Sequence, residues 1–244
     1  MTENSTDKKT ALVTGANKGI GYEIAAGLSR LGFRVGVGAR DAGRRDEAVA
    51  KLQAEGHHVF GVPLDVTDDA SVASAAALLE EQGGLDVLVN NAAIAGGMPQ
   101  EPTKVSADQV LDVVNTNVVG VIRVTNAMLP MLRRAPSPRI VNVSSTVGSL
   151  TLQTAQAEAV GPISAVYSPT KTYLNAITIQ YAKELADTNV LVNLGCPGYV
   201  ATDLNGHQGF RTPEQGAAIF LELATLPDDG PSGTFRDETG IQPW

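Results

Sequence analysis

Short apolar runs alternate with longer amphipathic stretches along the whole chain. The runs TALVT (10–14), FRVGVGA (33–39), HHVFGVPLDV (57–66), LDVLVNNA (85–92), RIVNVSS (139–145) and NVLVNLG (189–195) are strand-length and rich in β-branched residues. Between them, 19–31, 44–55 and 69–82 carry helical composition and stop at Gly32, Gly56 and Gly83-Gly84, where glycine releases the chain from a helix. Residues 107–133 predict one long helix or two abutting ones. After residue 167, Leu174, Ile177, Tyr181 and Leu185 recur at helical spacing. A last helix over about 213–225 and a short strand in GTFRD (233–237) complete the pattern. Continuous apolar strands separated by helices predict an α/β fold: a Rossmann-type doubly wound sheet of about seven parallel strands with helices on both faces. The pattern predicts one domain over 9–244 after a polar, disordered tail at 1–8. The irregular stretches 93–106, 146–165 and 197–212 all follow strand C-termini, where open α/β sheets bind ligands.

Composition narrows the function classes. The 244 residues carry a net charge of -8, which speaks against a nucleic-acid surface and against acidic membranes. Cys196 is the single cysteine, so no internal disulfide forms, and a cytoplasmic location is expected. No apolar run reaches membrane-spanning length, and the polar start MTENSTDKKT lacks the apolar core of a signal peptide.

Two stretches carry candidate chemistry. Thr14-Gly15-Ala16-Asn17-Lys18-Gly19-Ile20-Gly21 follows the first strand and opens the first helix. Glycines there permit a tight turn and close backbone approach, and the helix N-terminus offers N–H donors to a diphosphate. Its spacing is GxxxGxG; the competing reading is a glycine turn that only packs. The second strand ends Gly38-Ala39-Arg40, with no acid to receive a ribose 2′-hydroxyl. Arg40 and Lys18 suit a 2′-phosphate and point to NADP(H), although Asp41 beside Arg40 weakens that field. The second stretch is Tyr167-Ser-Pro-Thr-Lys171. On a helix, Tyr167 and Lys171 share a face, and Pro169 falls in the first turn, where a missing N–H costs little. A cation beside the phenol lowers its pKa and equips it to exchange a proton with an alcohol.

The ordered set TGxxxGxG, NNA at 90–92, the Ser144-Ser145 pair and YxxxK resembles the short-chain dehydrogenase/reductase superfamily. The resemblance covers about 9–240. Within it, NKGIG (17–21), ARD (39–41), LDVLVNNA, VNVSS (141–145), CPGYVATD (196–203) and Trp244 look like the carbonyl reductase branch. The resemblance implies Tyr167 as general acid, Lys171 lowering its pKa and binding the nicotinamide ribose, and Ser145 binding the substrate carbonyl. It implies Asn117 as the holder of a water on a proton path; the alternative is an asparagine that satisfies buried backbone groups. Cofactor contacts are implied for Gly15, Asn17, Lys18, Gly19, Ile20, Gly21, Arg40, Asp65, Val66, Asn91, Tyr167, Lys171, Pro197, Gly198, Val200 and Thr202. No metal site is expected. Ser144, Cys196, His57 and His58 read as structural.

Two departures stand out. Ala93 replaces the glycine usual after NNA, so a slightly shifted loop is expected, with Gly96-Gly97 absorbing the shift. The 146–166 segment is longer than in compact members and bears on the pocket and on whether the protein is a monomer or a homo-oligomer, which stays open. The brief 198–213 stretch leaves little chain for a lid. An open pocket of broad tolerance is expected, walled by 94–99, Leu150–Val160 and Tyr199–Phe210. The expected activity is NADPH-dependent reduction of aldehydes or ketones, or its reverse, on a small-molecule substrate. A ketoreductase for acyl thioesters or polyketide-type intermediates and a non-catalytic NADP(H) sensor are the alternatives.

Overall fold

The computed structural model describes residues 8–155 and 161–244. All but Lys8 of the expected tail, and 156–160 of the expected pocket wall, lie outside the described residues. Strands β1 (Thr10–Thr14), β2 (Arg34–Ala39), β3 (Val59–Pro63), β4 (Val87–Asn90), β5 (Arg139–Val143), β6 (Leu191–Gly195) and β7 (Phe235–Asp237) are parallel. A two-residue β8 (Gly240–Ile241) turns back antiparallel on β7 and was not expected. The sheet order is β3-β2-β1-β4-β5-β6-β7-β8. Successive strands are added leftward from β1 to β3 and rightward from β4 on, so the winding order reverses between β1 and β4, the switch point at which such sheets open a crevice.

Both faces of the sheet are covered, which is why its strands read as unbroken apolar runs. Ala11, Val13, Val35, Val37, Val89 and Val141 pack against α1 (Gly19–Arg30) and α8 (Pro213–Ala224). Leu12, Leu88, Ile140 and Val192 point the other way, toward α3 (Asp69–Glu81), α5 (Gly120–Leu132) and α7 (Tyr167–Glu184). On α7, Leu174, Tyr181 and Leu185 are buried as the helical spacing predicts. Two further helices, α2 (Ala42–Ala54) and α4 (Ala107–Val114), complete the long elements, and α6 (Leu150–Thr154) is a short turn of helix inside the 146–166 segment.

The expected 107–133 helix is a continuous rod with a defect. Between α4 and α5, residues Asn115–Val119 form a π-helical segment, and Gly120 N donates to Asn115 O five residues back. Such one-turn bulges interrupt the helical ladder and redirect a side chain. Here that side chain is Asn117.

Candidate active site

The glycine loop is shaped by what presses on it. Gly15 and Gly19 stand at φ +64° and +58°. A methyl on Gly15 would fall 2.9 Å from Ala92 Cα, and one on Gly21 would fall 2.4 Å from Asn91 Nδ2. Asn91 clamps the loop, donating from Nδ2 to Thr14 O at 2.8 Å, while Asn91 N and Ala92 N donate to Thr14 Oγ1 at 2.9 and 3.0 Å. Thr14 was not singled out from sequence, although its place directly before the first glycine was a signal. Ala93 needs no glycine: among the described residues only His207 combines a side chain with positive φ, and Gly96 and Gly97 make the turn at φ +84° and +69°.

The N-terminus of α1 is left bare. Asp41, Asp68, Ser106 and Thr212 cap α2, α3, α4 and α8 with side-chain acceptors, whereas Lys18 supplies no cap to α1 and its first turn holds no acid. Orphan N–H groups at a helix start suit an anion, so these residues fit the diphosphate of a dinucleotide. Arg40 is exposed at the end of β2. Asp41, expected to oppose it, is turned into the α2 cap, accepting from Arg44 N at 2.9 Å. Lys18 is engaged by the Asp203 carboxylate, which also meets His207 Nε2 at 2.9 Å. The hydrogen bond from Lys18 holds Asp203 below the usual carboxylate range. A cavity of about 490 Å³ lies beside this loop, lined by Asn17, Lys18, Gly19, Arg44, Lys51 and Asp203 among others. Arg44 was missed from sequence; its place one turn beyond Arg40 was the available signal.

Other expected cofactor contacts divide by where the side chain goes. Asp65 Oδ1 accepts from Thr67 N and Oγ1 at 2.9 and 2.6 Å, bonds that hold its carboxyl below the ordinary value. Val66 packs on Gly120, where a methyl would come within 2.9 Å of its Cγ2. Ile20, in the first turn of α1, packs on the core. The Val200 side chain is buried against α8, 2.5 Å from where a methyl on Gly216 would sit. An isopropyl group is better placed in the core than beside a polar ligand, so only backbone atoms of Val200 remain for a cofactor. Thr202 reaches back to the glycine loop, its Cγ2 3.6 Å from where a methyl on Gly19 would stand. Pro197 and exposed Gly198 form the turn after β6.

At the end of β5 the remaining residues converge. Ser144 N donates to Gly195 O at 2.8 Å and joins the ends of β5 and β6. Ser145 opens a 3₁₀ turn (Thr146–Gly148), its partly exposed hydroxyl accepting, among the described residues, only a long 3.4 Å bond from Val147 N. The turn rests on α7: a methyl on Gly148 would lie 2.7 Å from Lys171 C. Lys171, 2% exposed, donates from Nζ to Val143 O at 2.7 Å, and its Nζ lies 5.5 Å from the Tyr167 ring centroid. Tyr167 is partly exposed at the first turn of α7, and its hydroxyl has no protein partner among the described residues. Burial pushes the Lys171 ammonium down to about 8 and pushes the Tyr167 phenol up. The latter is the reverse of the expected effect of Lys171, because the ammonium sits against the ring and a main-chain carbonyl, while desolvation acts on the hydroxyl. Cys196 lies close enough to act on both, yet burial raises its own thiol, so it is uncharged at neutral pH.

The Asn117 side chain satisfies buried backbone groups, which leaves its main-chain carbonyl as the atom that could hold a water on a proton path. Its Oδ1 accepts from Ile94 N at 2.9 Å, and Nδ2 donates to Ile94 O at 2.9 Å and to Thr170 Oγ1 at 3.1 Å. Both amide donors are used, and the side chain ties the loop after β4 to the first turn of α7. Beneath runs a buried polar ladder absent from the sequence reading: Asn90 Nδ2 donates to Asn142 Oδ1 at 2.9 Å and Asn142 Nδ2 to Thr178 Oγ1 at 2.8 Å. Asn142, polar within an apolar strand, was its legible sign. Ser144 Oγ donates to Asn175 Oδ1 at 2.5 Å, which keeps it structural. Among the described residues no cluster of three metal-ligating side chains occurs, and no helix is long and apolar enough to cross a membrane.

A glycine loop with an uncapped helix start at the strand switch point, together with two hydroxyls and a buried ammonium at the end of β5, fits the chemistry of a nicotinamide-dependent oxidoreductase. Residues 9–210 match the family model for short chain dehydrogenases, and the chain belongs to that family. It is 35% identical to carbonyl reductase [NADPH] 1 of Sus scrofa, covering 98% of this chain and 96% of that one. Among solved structures it is similar to salutaridine reductase from Papaver somniferum, at a TM-score of 0.82 and 33% identity, over 93% of this chain and 99% of that one. It is also similar to an actinorhodin polyketide ketoreductase with NADPH, at a TM-score of 0.84 and 30% identity over 97% of each chain.

Proposed function

We propose that this protein reduces aldehyde or ketone carbonyls to alcohols with NADPH. The observation that carries the reading is the group at the end of β5: Ser145, Tyr167 at the start of α7, and Lys171 buried between Val143 O and the Tyr167 ring. The nicotinamide would supply hydride. The uncapped start of α1 and the glycine loop would hold its diphosphate, Arg40, Lys18 and Arg44 its 2′-phosphate, and Pro197, Gly198 and Thr202 its carboxamide end. Ser145 and Tyr167 would donate hydrogen bonds to the carbonyl oxygen, on which negative charge develops, and Tyr167 would deliver the proton. A general acid must be loaded before it acts. The raised phenol keeps Tyr167 protonated at neutral pH, so the proton is in place when a carbonyl binds. Lys171 then stabilises the phenolate left behind.

The substrate class follows from the rim. Met98, Leu150, Ile163, Tyr199, Leu204 and Phe210 are exposed apolar side chains on the three loops that follow β4, β5 and β6. They suit uncharged, apolar carbonyl compounds held without an ionic anchor. Similarity to a polyketide ketoreductase supports a second reading, reduction of a polyketide-type ketone. The net charge of -8 disfavours a like-charged acidic carrier for it.

The test is Tyr167→Phe, assayed by nicotinamide absorbance over a panel of small and bulky ketones. Turnover is expected to fall about a thousandfold with NADPH binding intact. Full activity in that variant would sink the reading.

A further inference from the structure

Arg211 stands outside every residue assigned above, yet it closes the loop after β6 and underlies its first turn. Arg211 N donates to Tyr199 O at 3.1 Å and Ala201 N donates to Arg211 O at 2.9 Å, giving a one-residue parallel bridge between Val200 and Arg211. The side chain then runs beneath Gly198. Gly198 has φ +75°, and a methyl there would meet Arg211 Cδ at 2.8 Å and Nε at 3.3 Å. The guanidinium is anchored on both forks: Nη1 to the Glu238 carboxylate in the β7–β8 turn, and Nη2 to Gln215 O at the start of α8 at 3.0 Å. The same hairpin holds the residue before the turn, since Cys196 N donates to Arg236 O at 2.8 Å. The turn is thus gripped from β7 directly and from β8's side through Arg211.

We propose that Arg211 is a positioning residue for the nicotinamide end of the cofactor, setting the height of the Pro197-Gly198 turn through its contact with Gly198 and its Glu238 anchor. This rests on the reading of that turn as the carboxamide contact. The adenosine end is set independently, by Asn91 and Thr14 on the glycine loop. Loss of Arg211 therefore disturbs one end of a two-ended ligand.

Two ligands separate the ends: NADPH, and adenosine 2′,5′-bisphosphate, which carries the 2′-phosphate and no nicotinamide. In Arg211→Ala, affinity for NADPH is expected to fall about tenfold and kcat by at least about as much, with affinity for the bisphosphate within about twofold of wild type. Arg211→Lys, which keeps the stem and a cation for Glu238, restores most of both. Glu238→Gln, which leaves the loop backbone and stem in place, shows the same pattern in smaller degree and serves if the alanine variant is unstable. Equal weakening of both ligands, or of neither, would overturn the proposal. Failure of the underlying reading shows separately, as NADPH affinity unchanged in Thr202→Val, the side chain assigned to the carboxamide.

Discussion

A buried cation marks each end of β5, and the two are provided for differently. Arg139 opens the strand at 2% exposure. Its guanidinium donates to Leu226 O at 3.0 and 2.6 Å, to Pro138 O at 2.9 Å and to the Asp228 carboxylate at 2.7 Å. Lys171 lies against the last residue of the strand at the same 2% exposure, and among the described residues its ammonium has one hydrogen bond, to Val143 O, and no carboxylate. A buried charge with its donors filled and a counter-charge at hand is a structural fixture. One left short of both is held at a cost in stability, which is what a group poised for chemistry looks like.

The largest effect tests the short-handed cation. Lys171→Met is expected to lower kcat about a thousandfold while raising stability at neutral pH. Burial lowers the ammonium from 10.5 to about 8, so the charged form costs the folded state about 3 kcal/mol, offset in the variant by about 1 kcal/mol for the unpaired Val143 carbonyl. Below pH 8 both folded and unfolded chains carry the proton and the cost is constant. Between 8 and 10.5 only the unfolded chain keeps it, so wild-type stability climbs toward and past the variant's. Urea titrations across that range check the sign; a variant less stable than wild type at pH 7 would break the contrast.

The next effect falls on the other end. Arg139→Met strands the Leu226 and Pro138 carbonyls in the interior and should cost about 2–4 kcal/mol in urea unfolding, with kcat per folded molecule within about twofold of wild type. A large loss of kcat would mean that the two ends are not separate in role. The smallest effect comes from Asp228→Asn, which leaves Arg139 its carbonyls and removes its counter-charge. Asp228 is exposed, and hydrogen bonds from Ser137 and Arg139 hold its carboxyl below 3.8. Its contribution is present above that value and lost as pH falls through the folded pKa. The thermal midpoint should therefore drop by less than in Arg139→Met, and the difference from wild type should vanish in acid.

Much of this was legible in the sequence, for physical reasons. Strands packed on both faces must be apolar throughout, so six parallel strands stood out, whereas the short seventh, Phe235-Arg236-Asp237, has one buried apolar residue and showed only faintly. Gly15, Gly19 and Gly21 were legible because close approach and positive φ leave few other residues possible. Tyr167 and Lys171 were legible only in company: their helical spacing alone fits any surface helix, and the glycine loop, NNA and Ser pair before them made it informative. What escaped was set by contacts distant in sequence. The π-helical segment depends on Asn117 reaching Ile94 and Thr170, and neither partner is within its own helix. Burial of Val200 depends on Gly216. The rise of the Tyr167 phenol depends on how much protein surrounds it, which spacing to Lys171 does not report. Arg139 at the head of an apolar strand was readable as an oddity; its partners near residue 226 were not.

Gly148 carries a consequence for temperature. The 3₁₀ turn bearing Ser145 meets the helix bearing Tyr167 and Lys171 where a hydrogen faces a main-chain carbonyl carbon, with a would-be methyl only 2.7 Å away. The gauge between the two hydroxyl-bearing elements is therefore main chain against main chain at that point. It has no rotamers to populate on warming. The separation of these elements is set there by a part with almost no internal entropy, so it should hold steady with temperature until the sheet itself gives way.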